Sequence, residues 1–529
     1  MSITRVLIHL RGAYFVKKQI HCRYFLLLSL LPVLLCSIYL TGCSKDKPLP
    51  APSVETTSPI SDSDSIQIGG ISWDLSAQEV TVANADPLEL KQILPAFPNL
   101  KRVILEGTIP ATEQLLELHS HFSHVELVCP VTIGTETFFT DAEVLDFSNT
   151  TVDFSSWNKL LPLFFNLKEL TLKEAGLTDA EIMMVCDSLP DVLIHCDLPL
   201  AGQYYDRNSL EIDLSGCPVS VAEVEQMLPY FPHLLKLDLS FCGISDEEMD
   251  ALNQRYPEIS IVWTVTIGEV KTRTDAVYFY PAESNYYPKN EEMKKLRYCT
   301  ELVAIDIGHT RATDCEFLWY TPKVRYLILA DTGITDITPV GNLKELIYLE
   351  LFNLRTKDYS PLLNCTKLQV LNIGTTHADP EPLSKMTWLH ILQWHRADQD
   401  PATKEAVLKL PEQLPDTNVE LYPKKKARNI GGGWRYIPNY YVFRDIIGAT
   451  YFNQDQIWDY WGDTDGDRIM ACESGKSFAA YTLAEIVRER INRGEPIVGL
   501  KNNDSEKAEI LYQTLMEAES WITEDKAIK

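Results

Sequence analysis

Positive charge is what this sequence is shortest of. Across 529 residues, 48 Lys and Arg stand against 74 Asp and Glu, a net charge of -26. Nucleic-acid backbones are held by stripes of Lys and Arg, so the balance argues against a nucleic-acid partner. It also argues against broad adhesion to anionic lipid headgroups. Catalytic signatures are missing as well: there is no G-x-S-x-G elbow, no P-loop, no H-E-x-x-H and no G-x-G-x-x-G. The one triple glycine, 431–433, follows KKKAR, but no Lys-Ser/Thr stands at P-loop spacing behind it. His195, His309, His377, His390 and His395 are scattered without metal-ligand spacing. With 45% hydrophobic and 23% charged residues the chain is nevertheless a folding sequence. It is too long for one ordinary core.

Long apolar runs are equally scarce. The conspicuous one is FLLLSLLPVLLCSIYLTG, Phe25–Gly42, preceded by Arg5, Arg11, Lys17, Lys18 and Arg23 and no acid. A basic stretch followed by an apolar one has the form of an export signal, and its 18 residues also just suffice to span a bilayer as an uncleaved anchor. Its end, Leu40-Thr41-Gly42-Cys43, resembles the lipobox of bacterial lipoproteins. That resemblance implies cleavage before Cys43, a diacylglycerol on its sulfur, and a chain held on the outer side of a cell membrane. Residues 43–68, SKDKPLP… onward, are rich in Ser, Pro, Thr and Asp and read as a disordered tether.

Nine cysteines follow Cys43, an odd number. An exported chain is expected to pair its cysteines, yet most of these fall at packing positions of the pattern described next, so buried thiols are expected.

That pattern is a repeat. LPAFPNL at 94–100 returns as LPLFFNL at 161–167 and LPYFPHL at 228–234, each step being 67 residues. Leu100, Leu167 and Leu234 share a column, as do Leu105, Leu172 and Leu239, and Cys129, Cys196 and Trp263. Each 67-residue block holds three apolar stretches, so the unit is a third of that length. Beyond residue 300 the units are plainer: ELVAIDIGHT, KVRYLILADT, ELIYLELFNL and KLQVLNIGTT end their strands at Ile307, Leu329, Leu351 and Ile373, 22 apart. A fixed period in this range marks a solenoid or propeller. The x-L-x-L-x core alternates with period two, giving a short strand with leucines inward, and neighbouring units must bury those leucines together.

L-x-x-L-x-L-x-x-(N/C/T) resembles the leucine-rich repeat, in the 22-residue class of bacterial internalins, over about 69–422. The resemblance implies an α/β solenoid with parallel strands on a concave face. It also implies that Thr108, Thr150, Cys217, Cys242, Thr310, Thr332 and Thr376 hold the inward Asn position. On the convex side TDAEIMMVCDSLPD and SDEEMDALNQRYPE carry caps and acidic first turns and read as short helices. TDITPVGNLKEL is too short and reads as a 3-10 turn. The change falls near residue 300, after an irregular spacer, 272–294, that carries Tyr278, Phe279, Tyr280, Tyr286 and Tyr287.

Residues 423–529 form a small, mostly helical C-terminal domain. Its aromatics, among them Tyr436, Tyr441, Phe443 and Trp461, suit either the core of a cap over the last open repeat or exposed platforms for sugar. Within it Asp463, Asp465 and Asp467 alternate, with Glu473 beyond. This resembles the D-x-D-x-D-G calcium loop of the excalibur family, with Arg468 in place of Gly. The alternative is an ordinary Asp/Gly turn; no cofactor is required.

The position between the two inward strand residues is acidic at Glu126, Asp146, Asp213, Asp238, Asp306 and Glu350. These make an acidic stripe on the concave face, a candidate surface for a protein or glycan ligand. The expected protein is a monomeric, lipid-anchored, non-catalytic recognition molecule of the cell surface. The alternatives are an envelope scaffold, or an accessory subunit of an extracellular enzyme with its activity in 434–529.

Overall fold

The computed structural model describes residues 65–68, 70–281, 287–422, 436–448, 454–472, 479–502 and 504–525. The chain divides into Met1–Ile66 and Gln67–Lys529, and the architecture below is that of the second unit. The apolar run, Cys43, nearly all of the tether, Tyr286, the triple glycine and Glu473 lie outside the described residues.

The 67-residue ruler measures out three modules. Strands Glu79–Ala83, Arg102–Glu106 and Glu126–Val128 pair in parallel. Strands Val144–Asp146, Glu169–Thr171 and Leu193–His195 repeat the arrangement, as do Glu211–Asp213, Lys236–Asp238 and Ser260–Val262. Each trio is a separate three-stranded sheet. An antiparallel hairpin closes each: Pro130–Ile133 with Glu136–Phe139, Asp197–Leu200 with Gln203–Asp206, Thr264–Ile267 with Val270–Arg273. The hairpins explain why the period is a triplet, because they interrupt the ladder once per module. Sequence reading missed them, although Gly134, Gly202 and Gly268 sit at their turns with φ of 61°, 77° and 64°, the left-handed region that two-residue hairpin loops require.

The recurring phrase forms the 3-10 turns Leu94–Ala96, Leu161–Leu163 and Leu228–Tyr230, each with its proline in second place. From each the chain descends to buried Leu100, Leu167 or Leu234 and enters a strand. The helices Asp179–Ser188 and Asp246–Arg255 start on capping boxes, Thr178 with Glu181 and Ser245 with Glu248.

From Tyr278 the ladder is continuous. Tyr278–Phe279, Ala304–Asp306, Tyr326–Ile328, Tyr348–Glu350, Val370–Asn372, Ile391–Gln393 and Asn418–Glu420 form one seven-stranded parallel sheet in sequence order. Its inward residues, Ile305, Ile307, Leu327, Leu329, Leu349, Leu351, Leu371 and Ile373, are wholly buried. Behind it lie the 3-10 turns Glu316–Tyr320, Thr338–Asn342 and Ser360–Asn364. The last units return to α-helix at Pro380–Leu383 and Lys404–Gln413, which the expected switch to 3-10 turns did not anticipate. Thr332 and Thr376 each donate 2.8 Å hydrogen bonds to the strand carbonyls of Leu329 and Ile373, closing the turn without Asn.

The chain folds as a leucine-rich-repeat solenoid.

The C-terminal helices, Pro438–Ile446, Gln454–Trp461, Asp463–Ala471, Ala479–Arg493 and Ser505–Asp525, were expected over the open end of the array. They lie across the outward face of the seven-stranded sheet. Ala304, Tyr326, Ile328, Tyr348, Val370 and Ile391 point out of that sheet and share one buried cluster with Tyr436, Tyr441, Phe443, Trp461, Leu483 and Leu511. The Phe443 ring lies 6.1 Å from that of Tyr348 and 6.4 Å from that of Tyr326. Polar pairs fix the register: Gln369 donates to Thr514 at 2.7 Å, Asn439 donates to Gln369 at 3.1 Å, and the Lys507 ammonium donates to the carbonyls of Leu389 and Asp416. The physical reason is the row of apolar outward residues. An uncovered stripe of that size is rare on a soluble surface.

Candidate recognition surface

Among the described residues no helix covers the outward face of the first arc, and its composition differs. Its leading column reads Glu79, Arg102, Glu126, Val144, Glu169, Leu193, Glu211, Lys236 and Ser260, all exposed or half-buried. Arg102 sits between carboxylates: it binds Asp141 and lies 3.5 Å from Glu126 and 3.8 Å from Glu79. Asn166 donates to Glu126 at 2.6 Å. The His195 ring faces Glu169 at 3.0 Å. Lys173 bridges Asp206 at 2.8 Å and Asp197 at 3.7 Å. In the third module Arg273 joins Asp238 and Asp275, and Lys236 reaches Asp275 at 2.7 Å. These pairs cross from strand to strand and from strand to hairpin. Exposed pairs of this kind contribute about 0–1 kcal/mol each, so they order the surface more than they stabilise it.

The acidic stripe has a local cause. Asp146, Asp213, Asp238 and Asp306 each accept the backbone N–H two residues on, from Ser148, Ser215, Ser240 and Gly308, at 2.8–2.9 Å. The short carboxylate closes the turn at the strand end, as Asn372 does with Gly374 at 3.1 Å. Hydrogen bonds from Ser148 hold the Asp146 carboxyl below its usual range, and those from Ser215 do the same for Asp213. Both remain open to solvent. Asp238 is 8% exposed and bound by Arg273.

The last two members of the stripe contradict the exposed position expected of them. Asp306 is 8% and Glu350 5% exposed, because the C-terminal helices cover their strands. Burial pushes the Asp306 carboxyl up to about 6, against the opposing pull of the Gly308 amide and of Arg444, 3.6 Å away. Glu350 accepts from the Tyr348 hydroxyl at 3.0 Å. The structure therefore does not unite the five predicted ligand-binding residues: Asp146 and Asp213 stand on an open face, Asp238 is tied at its edge, and Asp306 and Glu350 belong to an interior.

The stretch that resembles a calcium loop is a helix, Asp463–Ala471. Asp465 is turned to Arg490 at 2.7 Å, away from Asp463 and Asp467 on the solvent side. Among the described residues no group of three His, Cys, Asp or Glu is placed to hold a metal ion.

A second open surface, unseen in the sequence, is a polar groove of about 790 Å³ at the strand ends of the second arc, lined by Asp331, Asn353, Arg355, Lys357, His377 and Asp400. Asp331 accepts from Asn353 at 2.7 Å and faces His309 at 3.0 Å; Asp400 faces His377 at 3.4 Å. The 22-residue register stacks these loops side by side, a clue in the sequence that identical spacing alone supplied.

No family model and no curated protein matches the chain. Solved structures do. Internalin C2 of Listeria monocytogenes is 20% identical over 37% of this chain and 77% of its own, with a TM-score of 0.21. An internalin, InlF, of the same organism is 13% identical over 67% and 91%, with a TM-score of 0.23. A leucine-rich-repeat protein of Leptospira interrogans is 16% identical over 66% and 90%, also at 0.23. The fold rests on this chain's own strand order, and function has to be read from its own surface.

Proposed function

We propose that the protein is a non-catalytic recognition molecule on the outer side of a cell membrane, held by a lipid on Cys43. It engages a protein or glycan ligand through the outward strand face of residues 79–262. One observation carries this reading: among the described residues, helices of the chain cover the strand face of its second arc, while that of its first arc stands open, charged and ordered by cross-strand pairs. A face built for packing is covered, as the second one is, where an apolar outward column lies buried under helices. The acidic members Asp146 and Asp213 favour a ligand with basic or hydroxyl groups. Buried aromatics of the C-terminal region, Tyr436, Tyr441, Phe443 and Trp461, share one packed cluster with the sheet.

The test is affinity capture with a soluble fragment beginning at Ser44, made as the native protein and with Glu126, Asp146 and Asp213 changed to Lys. Capture by the native fragment and its loss in the variant are expected. Equal capture by both would move the ligand off this face. Metabolic labelling with a fatty-acid analogue, lost in Cys43→Ala, tests the anchor separately.

A further inference from the structure

The three modules can be compared position by position, and the middle one departs from both neighbours at two places, Cys186 and Arg207, beside a Cys196 that the first module matches with Cys129. On the convex helix His119 and Asn253 flank Cys186 in the alignment. After the third strand Cys129 and Trp263 flank Cys196. At the close of the hairpin Thr140 and Thr274 flank Arg207. In the outer modules the threonine hydroxyl accepts the backbone N–H of Cys129 or Trp263, at 3.0 and 3.1 Å. In the middle module the Arg207 N–H still donates to the Cys196 carbonyl at 2.9 Å, but a guanidinium replaces the hydroxyl. Arg207 is 7% exposed, and among the described residues its Nε has no hydrogen-bond acceptor. Its neighbours are two thiols: Cys186, 4% exposed, and Cys196, wholly buried. A guanidinium cannot shed its charge, and burying it without an anion is costly. The group at hand that can become an anion is a thiol.

We propose that Cys186 and Cys196 are a redox-active pair, with Arg207 as the residue that positions and charges it, closing reversibly to an intramolecular disulfide by exchange with a low-molecular-weight disulfide. Cys186, the more accessible sulfur, attacks as the thiolate: its sulfur bonds to one sulfur of the external disulfide and the other leaves as a thiolate. Cys196 gives its proton to that leaving group and attacks the Cys186 sulfur, expelling the second thiolate. The protein loses two electrons and the external disulfide gains them. The electrostatics agree. The Cys196 hydrogen bond, with help from Arg207, holds the Cys186 thiol below its ordinary range, while its loss to Cys186 and burial raise that of Cys196. Asp187 on the helix and Asp197 on the hairpin oppose these ionisations, and Tyr230 of the next module donates to Asp187 at 3.2 Å. Because Arg207 stabilises the reduced, charged state, the bond is easily reduced and acts as a switch more than a staple.

The intact soluble protein is equilibrated across a series of reduced-to-oxidised glutathione ratios, quenched in acid and mapped by mass spectrometry. Cleavage after Lys173 and Arg207 releases both sulfurs on one peptide, 174–207, with no other cysteine. A link inside that peptide is expected, together with a thiolate ultraviolet band near neutral pH that Cys186→Ser abolishes. Arg207→Thr, which restores the residue of both outer modules, should remove the neutral-pH band. It should also make the disulfide about tenfold harder to reduce. Two free thiols at the oxidising end, or a band and midpoint unchanged by Arg207→Thr in folded protein, would overturn the proposal.

Discussion

The two arcs of this solenoid are built on one unit and treat their strand faces in opposite ways. In residues 79–262 the sheet is broken into threes by hairpins, and its leading outward column is mostly charged. In residues 278–420 the sheet runs unbroken for seven strands; its leading outward column, Tyr278, Ala304, Tyr326, Tyr348, Val370 and Ile391, is apolar under a helical cover, with Asp306, Glu350, Asn372, Gln393 and Glu420 buried beside it. The difference teaches that inward leucines fix the architecture while outward residues decide whether a face is interior or surface. A repeat alignment that follows only the leucines sees no difference between the arcs.

The contrast can be broken most sharply by removing residues 423–529. At about 1.5–3 kcal/mol for each large side chain re-exposed, loss of cover from Tyr326, Ile328, Tyr348, Val370 and Ile391 is expected to leave an aggregating, dye-binding fragment. Static light scattering and hydrophobic-dye fluorescence measure this. A monomeric, stable fragment would mean that the cover is dispensable. A smaller cut is Phe443→Ala, a buried ring lying on Tyr326 and Tyr348. It should cost about 3–5 kcal/mol in a denaturant melt, whereas Tyr204→Ala on the exposed hairpin of the first arc should cost under about 0.5 kcal/mol.

Asp306 sharpens the comparison through pH. Its carboxyl in the folded chain, at about 6, lies above the unfolded value, so folding favours the protonated form. Stability from this group is therefore fully present below about pH 4 and is lost as pH rises through 6, by about 2–3 kcal/mol. Asp306→Asn should match the native protein near pH 4 and exceed it at pH 7. Melting temperatures across that range check the sign, and a native protein that gains on the variant with rising pH would contradict it. For Asp146 on the open face the prediction is slight: Asp146→Ala removes one turn-closing hydrogen bond, for about 1 kcal/mol. Smallest of all, millimolar Ca²⁺ should leave the melting temperature unmoved, because Arg490 already holds Asp465.

Much of the fold was legible because inward leucines, caps and prolines act locally. Leu100, Leu167 and Leu234 gave the modules, and Thr178-Asp-Ala-Glu181 announced a helix start. The cover was not read, although Tyr326, Tyr348, Val370 and Ile391 recur at outward positions and stated it. The acids attracted attention instead, and an Asp two residues before Ser or Gly closes a turn whether or not a ligand comes. What joins those outward residues to Phe443 is a contact across some hundred residues, which no periodicity carries. Arg207 went unread for a related reason: its meaning lies in the two threonines it replaces.

The hairpins have a bearing on how such a chain changes length. Because each one ends a sheet before the next begins, the array is divisible. Excising residues 144–210 would join the first hairpin to the strand at Glu211 at an equivalent boundary, leaving every remaining ladder intact. Such a chain should melt as cooperatively as its parent, whereas excising a single 22-residue unit from the continuous sheet would also displace the helices resting on it. Calorimetry on the two deletions would tell a chain that can be edited by the module from one that cannot.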